Sequence, residues 1–273
     1  MIQDIYPSRL YNSFKNHEIS NNDYLLCFDG EERVLADTRS GSIVFPKSGD
    51  ISVGRTIYGF SVDNDRYFIA LGETDNTDTV FEHLTLRQLR DRFSGKELFA
   101  AFTAYHLWNW YNDNSFCGRC GNGFVLSSDE RALKCSKCGN TVYPRINPAV
   151  IVGVVKGDSI LVTRYRRGYA HNALVAGFTE IGETLEQTVE REVMEETGVK
   201  VRNIRYYKSQ PWGMAQDILI GFFCEADGSG EIHMDENELK YAEWVSREEL
   251  ELQPTDISLT NEMMKVFRDG RNF

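Results

Sequence analysis

At 273 residues the chain is long enough for two domains or one large one, and its 41% hydrophobic and 26% charged residues are typical of a globular protein. No apolar run is long enough for a transmembrane helix, and the N-terminus lacks the regions of a signal peptide, so the cytoplasm is the expected location. The net charge of −11 disfavours a dedicated nucleic-acid-binding surface, because phosphates are neutralised by clustered lysine and arginine. It does not exclude action on the end of an RNA.

Residues 1–112 are predicted to form an N-terminal β-rich domain that ends in two helices. Short β-like runs alternate with turn signals and give candidate strands at 24–28, 33–36, 43–45, 56–62 and 67–71. Helical patterns follow at 84–93, where Thr85 is a candidate N-cap, and at 96–111. No catalytic constellation is visible here, which favours a scaffold or a support for a dimer.

The second predicted helix is dense in aromatic side chains, namely Phe99, Phe102, Tyr105, Trp108, Trp110 and Tyr111. Such a stripe could stack on nucleic-acid bases. At helical spacing it is more often part of a core, so a buried helix is the favoured prediction.

Four of the six cysteines form two CxxC pairs that are separated by fourteen residues, and these are Cys117, Cys120, Cys135 and Cys138. Without a secretion signal this spacing favours zinc over disulfides. Four thiolates suit a closed, structural Zn²⁺ site, so residues 113–143 predict a zinc ribbon. A zinc ribbon can bind nucleic acid, but a structural clip between domains is favoured.

Residues 144–273 predict an α/β domain. A hairpin is expected from 148–155 and 158–165, followed by strands at 174–177, 201–208, 217–225, 231–233 and 241–245 and by helices at 246–251 and 257–268. Strands that flank one long helical pattern indicate an α/β/α sandwich with a mixed sheet. The chain as a whole is therefore predicted to be an α+β / α/β protein.

The long helical pattern lies within residues 177–199, GFTEIGETLEQTVEREVMEETGV. Thr184 and Gln187 form a predicted capping box, and Gly198 stands where a left-handed residue would end the helix. Leu185, Val189 and Val193 give one apolar stripe.

Three glutamates, Glu192, Glu195 and Glu196, share one face of this helix, because they are three and four residues apart. Like charges at that spacing cost a helix about 0.2–0.5 kcal/mol per pair. One interpretation is a solvated acidic face. The other is a site for hard divalent cations, which take oxygen ligands and bridge to phosphates.

The complete pattern is Gly, five residues, Glu, seven residues, then Arg-Glu-apolar-x-Glu-Glu-x-Gly-apolar, with no position missing. It resembles the Nudix box. The resemblance implies hydrolysis of a nucleoside diphosphate linked to another moiety, with Mg²⁺ or Mn²⁺ as the catalytic cation.

Three further motifs resemble one Nudix branch, the NADH pyrophosphatases. They are FCGRCG at 116–121, YPRINPAVIV at 143–152 and SQPW at 209–212. The resemblance, which covers about residues 85–260, implies cleavage of NADH to NMNH and AMP and, in some members, removal of NAD caps from RNA 5′ ends. It also implies a homodimer whose active sites draw residues from both subunits.

Carried over residue by residue, the resemblance assigns Glu192, Glu195, Glu196 and Glu238 to the catalytic metals, and it makes Glu183 and Arg191 the pair that braces the box loop. Phe178 and the other subunit's Tyr143 would sandwich the nicotinamide ring, and Trp212 could alternatively be core. The residues that this resemblance places at the substrate are Tyr143, Ala176, Phe178, Gln210, Pro211, Trp212, Gly213, Met214, Ala215, Gln216 and Asp217.

The sequence departs from the branch directly after SQPW. The usual continuation is Pro-Phe-Pro, a variable residue and Ser, whereas this chain has Gly213-Met214-Ala215-Gln216-Asp217. This predicts a more flexible segment, hence weaker preorganisation and a weaker preference for the nicotinamide end. The charge of Asp217 is expected to make NADP(H) a poorer substrate than NAD(H).

The expected mechanism is metal-assisted attack of water on a phosphoanhydride, with Glu195 or Glu196 accepting the proton of the water. One rival is a Nudix hydrolase for ADP-ribose, a dinucleoside polyphosphate or FAD. A rival of another class is a non-catalytic RNA-binding module that uses the ribbon and the aromatic helix. The intact box and the acidic charge disfavour that module.

Overall fold

A computed structural model describes residues 1–72, 74–75, 80–166 and 171–271. The chain divides into two compact units. The N-terminal unit comprises residues 2–145 together with 213–216, and the C-terminal unit comprises Met1, residues 146–212 and residues 217–273. None of the helices in the described ranges combines the length and the apolar character needed to cross a membrane.

The N-terminal unit begins with short strands: β1 Leu10–Tyr11, β2 Tyr24–Leu26, β3 Val34–Ala36, β4 Ser52–Val53, β5 Thr56–Val62, β6 Asp65–Ala70, β7 Thr74–Asp75 and β8 Glu82–Leu84. One sheet has the order β1-β5-β6-β2, while β3 pairs with β8 and β4 with β7. The predicted strand at 43–45 is wrong, since only Val44 forms a bridge there, with Asp37. Pro46 follows directly and has no N–H group with which to extend a ladder.

Two helices complete this part of the unit, α1 Leu86–Arg90 and α2 Lys96–Asp113. Thr85 caps α1 in a capping box with Gln88, which confirms the predicted cap. All six aromatic residues of the predicted stripe are buried in α2. The prediction of a core helix is therefore confirmed, and these rings are not an exposed surface for stacking bases.

The ribbon is a small antiparallel sheet of β9 Phe124–Leu126, β10 Leu133–Cys135 and β11 Thr141–Val142. Within the N-terminal unit it is tied to the β-rich part by side-chain hydrogen bonds. Asn16 Nδ2 donates to the carbonyl of Ser128 at 3.2 Å, and the Arg131 guanidinium donates to the carbonyl of Gly59. The ribbon is therefore anchored by protein contacts as well as by its cysteines.

The C-terminal unit is built on one sheet. Its elements are β12 Asn147–Lys156, β13 Ser159–Tyr165, β14 Val175–Phe178, α3 Leu185–Thr197, β15 Lys200–Trp212, β16 Asp217–Asp227, β17 Leu239–Ser246 and α4 Leu259–Arg268. The order is β15-β16-β12-β13-β17, and β14 pairs with β12. β12 and β16 are parallel and the other pairs are antiparallel, so the sheet is mixed as predicted.

A helix covers each face of this sheet, because successive residues of β12 point to opposite sides. Val150, Val152 and Val154 pack with Val189 and Val193 of α3. On the other side, Ile151 and Phe223 pack with Leu259, Met263 and Phe267 of α4. The predicted α/β/α sandwich is confirmed.

Two predicted elements of this unit are wrong. Residues 246–251 form the end of β17 and a turn, in which Ser246 Oγ donates to Glu249 Oε2 at 2.7 Å. Leu250 is the one buried residue of that stretch, which is too little apolar area to hold so short a helix. Residues 231–233 are irregular, because the backbone N–H groups of His233 and Asp235 donate to the last carbonyls of α3.

Candidate active site

Helix α3 forms for the local reasons visible in its sequence. Both bonds of the Thr184–Gln187 capping box are present, and Gly198 ends the helix with φ 69° while its N–H donates to the carbonyl of Met194. Val189 and Val193 are fully buried against the sheet, with Leu185 beside them. These predictions are confirmed, and they orient the glutamates of the helix away from that core.

Glu196 is the most unusual of these glutamates, because its side chain is only 1% exposed. Tyr165 donates a hydrogen bond to the carboxylate, with its hydroxyl 3.0 Å from Oε1 and 3.3 Å from Oε2. The pKa of Glu196 is raised to about 8, mainly by burial; the hydrogen bond from Tyr165 opposes this shift, and the charges of Glu238 and Glu192 add to it. A buried carboxyl among like charges is well suited to bind a cation.

Glu192 is held close to the backbone of β14. A Cβ atom on Gly177 would stand 2.0 Å from Glu192 Cδ and 2.1 Å from its Oε1, so the glycine leaves room for this carboxylate. Burial raises the pKa of Glu192, although Arg191 Nη1 lies 2.7 Å from Oε1 and opposes the shift. Glu195 is 60% exposed and lies 3.1 Å from the same nitrogen.

Glu183 and Arg191 form a bidentate ion pair. Arg191 Nε donates to Glu183 Oε1 at 2.6 Å and Nη2 donates to Oε2 at 2.9 Å. Nη2 also donates to the carbonyl of Phe178 at 2.9 Å, so the pair joins α3 to the loop that precedes it. The hydrogen bonds from Arg191 lower the pKa of Glu183 to about 2, with help from the backbone N–H of Glu180.

Glu238 lies in the turn before β17 and is exposed. Its carbonyl accepts a hydrogen bond from the N–H of Arg166 at 3.0 Å, and its charge raises the pKa of both Glu192 and Glu196. The structure therefore brings Glu238 into electrostatic contact with the box, although it is about forty residues away in sequence. Carboxylate oxygens are the ligands that hard divalent cations prefer.

The predicted aromatic substrate residues are both exposed. Phe178 is 53% exposed at the end of β14, and Tyr143 is 58% exposed after β11 in the other unit. Ala176 is partly buried in β14, and its N–H donates to the hydroxyl of Tyr165 at 3.2 Å. Pro211 is exposed and Trp212 is partly buried at the end of β15.

Gln210 differs from the prediction. Its side chain is fully buried, Nε2 donates to the carbonyl of Ile257 at 2.7 Å, and Oε1 accepts from the N–H of Leu259 at 2.7 Å. Both ends of the amide are therefore used to hold the start of α4. Asp217 is also buried, at 5% exposure, so it does not present an open carboxylate to a 2′-phosphate. The reason for expecting NADP(H) to be poorer is thereby removed.

The segment predicted to be flexible is a 3₁₀ turn, Gly213–Ala215, within the N-terminal unit. A Cβ atom on Gly213 would lie 2.0 Å from the carbonyl oxygen of Phe102 in α2. Gln216 follows at φ 59°, and its Oε1 accepts a hydrogen bond from Arg145 Nη2 at 2.9 Å. Glycine is thus required by close packing at position 213, and contacts within the N-terminal unit hold this segment.

The sulfur atoms of the four ribbon cysteines lie close enough together to be the ligands of one metal ion. Their sulfur atoms all lie within 4.8 Å of one another, with Cys117 3.6 Å from Cys138 and Cys120 3.5 Å from Cys135. Zn–S bonds of about 2.3 Å place the sulfurs of a tetrahedral site about 3.8 Å apart, so the residues fit zinc. Desolvation raises the pKa of the Cys117 thiol, but the backbone N–H groups of Arg119 and Cys120 and the thiols of Cys138 and Cys120 together lower it to about 6.

The two knuckles share a repeat that the sequence analysis missed, Cys-x-x-Cys-Gly-Asn, at 117–122 and 135–140. In each, the glycine N–H donates to the first cysteine's carbonyl, and that cysteine's N–H donates to the carbonyl of the asparagine. Gly121 and Gly139 have φ of 73° and 72°, a region that glycine adopts without strain. Each half of the site is therefore shaped by the same local turn.

The α/β/α fold, the box on α3 and the upstream cysteine cluster resemble a Nudix domain preceded by a zinc ribbon. The NUDIX domain model matches residues 145–266, and the model of the NADH pyrophosphatase zinc ribbon domain matches residues 112–143. The chain therefore carries a segment that matches each model, the zinc ribbon first and the NUDIX domain after it.

Curated relatives agree with this assignment. The chain is 46% identical over 151 residues to the NAD-capped RNA hydrolase NudC of Citrobacter koseri, which covers 54% of this chain and 58% of that protein. It is 44% identical over 172 residues to the NAD-capped RNA hydrolase NudC of Salmonella typhi. This match covers 62% of this chain and 66% of that protein. The matched part of the chain thus spans less than two thirds of the length of these relatives.

A solved structure shows the same fold at low sequence identity. The crystal structure of a NUDIX hydrolase from Nitrosomonas europaea matches with a TM-score of 0.51 at 20% identity, and it covers 57% of this chain and 92% of that one. At this sequence identity the likeness is evidence for the fold alone.

Proposed function

We propose that this protein hydrolyses the pyrophosphate of NADH and NAD⁺, giving AMP and the nicotinamide mononucleotide. The observation that supports this most is the box itself, with Glu196 buried beside Glu192 and Glu238 in a chain that also has an NADH pyrophosphatase zinc ribbon. The proposal includes NAD caps at RNA 5′ ends, because they contain the same bond and because both relatives above are named for that activity.

The carboxylates of Glu192, Glu195, Glu196 and Glu238 are proposed to hold Mg²⁺ or Mn²⁺. Such cations polarise a phosphoryl oxygen and lower the pKa of a bound water. Glu195 or Glu196 accepts the proton of the attacking water at a carboxylate oxygen. Glu183 and Arg191 do not react; their ion pair fixes the loop from which the box helix starts.

Recognition of the substrate is proposed to depend on two exposed rings. Phe178 follows the first glycine of the box, and Tyr143 is accessible for a second subunit in a homodimer. Stacking of a flat ring on an aromatic side chain contributes about 1–3 kcal/mol in nucleotide sites. The nicotinamide supplies such a ring, which ADP-ribose lacks.

The test is a substrate panel with identification of the products. NADH, NAD⁺, NADPH, ADP-ribose, FAD, a dinucleoside polyphosphate and NAD-capped RNA are incubated with enzyme and Mg²⁺ or Mn²⁺. We expect NADH and NAD⁺ to be cleaved fastest, to AMP and the mononucleotide. Far faster cleavage of ADP-ribose or a dinucleoside polyphosphate would refute the substrate assignment but not the metal chemistry. Salt-dependent RNA binding without any hydrolysis would instead support a non-catalytic module.

The role of the ring is tested by Phe178→Ala. We expect this variant to raise KM for NADH by about tenfold, from the loss of one stacking contact, and to leave KM for ADP-ribose nearly unchanged. Tyr206→Ala removes a ring of similar exposure from β15 and serves as the control. An equal rise in KM for NADH and for ADP-ribose would mean that Phe178 contributes only to packing.

A further inference from the structure

The hydroxyl of Tyr165 lies between β14 and the buried carboxylate of α3. It is 3.0 Å and 3.3 Å from the two oxygens of Glu196, and it accepts the N–H of Ala176 at 3.2 Å. A phenol has one proton to give, so it donates to Glu196 while its lone pair receives the backbone donor. The carboxylate is thereby fixed relative to β14.

An irregularity of the sheet brings Tyr165 to this position. Along β13 the register with β17 advances regularly up to Arg164, opposite Tyr241, and then shifts so that Tyr165 pairs with Leu239. Such a bulge re-aims the side chain that follows it, and bulges are frequent beside active sites. The shift also lies next to Glu238, the remaining carboxylate of the candidate site.

We infer that Tyr165 is a positioning residue for Glu196, and this inference rests on the proposed function. The side chain does not act on substrate. It restricts the rotation of a buried carboxylate that lies near the like charges of Glu192 and Glu238, so that both oxygens keep one direction. A structural role alone would make the hydroxyl important for stability and unimportant for the metal.

The test removes only the hydroxyl, in Tyr165→Phe. We expect kcat for NADH to fall by about 10- to 100-fold with KM nearly unchanged, and the affinity of the substrate-free protein for Mn²⁺, measured by calorimetry, to fall by about tenfold. Tyr207→Phe is the matched control. Tyr207 donates to Glu262 at 3.0 Å in the same unit but at α4, so its removal should change neither quantity.

A double-mutant cycle connects the effect to Glu196. If Tyr165 acts through this carboxylate, adding Tyr165→Phe to Glu196→Gln should weaken Mn²⁺ binding by less than about twofold more. Tyr165→Phe with wild-type Mn²⁺ affinity and kcat would overturn the inference, even if its melting temperature were lower. Wild-type protein that binds Mn²⁺ but does not cleave NADH would refute the proposed function instead, and the Mn²⁺ titration would still decide the role of Tyr165.

Discussion

Arg191 is the one guanidinium that the box shares among three glutamates. It lies within 2.6 Å, 2.7 Å and 3.1 Å of Glu183, Glu192 and Glu195, and these contacts raise its own pKa. Glu196 is not among the three, so the most buried carboxylate of the helix is also the one that this cation leaves uncompensated. These carboxylates therefore divide into a set that pairs with Arg191 and one buried carboxylate, Glu196, that does not.

The Glu183–Arg191 pair should give the protein an acid-dependent stability. The pKa of Glu183 is lowered from 4.5 to about 2, so its contribution is complete above about pH 4.5 and is lost as the pH falls towards 2. Glu183→Gln should therefore lower the urea midpoint at pH 7, and the difference from wild type should shrink below pH 4.5. Glu190→Gln, on the exposed side of α3, is the control. If the difference in urea midpoint between Glu183→Gln and wild type stayed constant between pH 7 and 3, the ion pair would not be the source of this stability.

Gly177→Ala tests the position of Glu192 without removing a carboxylate. The new methyl group would overlap the end of a flexible side chain, so the carboxylate should move while the strand stays intact. We expect hydrolysis to fall by at least about tenfold and the melting temperature to change by only about 2–4 °C. Gly30→Ala, whose Cβ meets no atom within 4 Å, should change neither. Full activity of Gly177→Ala would mean that this placement of Glu192 is unimportant.

The ribbon is the element whose stability should depend most on metal. It contains three strands of only two or three residues, and zinc binding in small peptides contributes about 10 kcal/mol or more to folding. Elemental analysis should find about one zinc per chain, and Cys120→Ser or Cys135→Ser should lose zinc and lower the melting temperature. Cys27→Ala, in the core, should retain zinc. A zinc-free protein with an unchanged melting temperature would contradict a structural role for zinc in the ribbon.

Elements with local signals could be predicted from the sequence, and those without could not. The caps and stripe of α3, the cap of α1 and the CxxC knuckles are all specified within a few residues. Tyr165 was missed because its direction depends on a register shift against β17, a strand more than seventy residues away. The side chain of Gln210 was misplaced for a similar reason, since its partners lie in the turn before α4.

In the molecule as a whole, the thiolate cluster and the proposed carboxylate site lie in different units and offer different ligands. The thiolates of the N-terminal unit suit zinc, and the carboxylates of the C-terminal unit suit Mg²⁺ or Mn²⁺. Zinc in a four-thiolate site has no open position for substrate, so it is proposed to be structural and to take no part in hydrolysis. A homodimer in which Tyr143 of one subunit serves the neighbouring site is part of the proposal.

The central claim, that the box carboxylates drive pyrophosphate cleavage, is tested most directly by NADH hydrolysis with Glu196→Gln at saturating Mg²⁺. The amide keeps the volume of the side chain and can still accept the Tyr165 hydrogen bond, so the fold should be retained. We predict that wild type and Glu190→Gln release AMP and NMNH at similar rates, whereas Glu196→Gln is slower by orders of magnitude. A folded Glu196→Gln variant with near wild-type kcat would contradict the account.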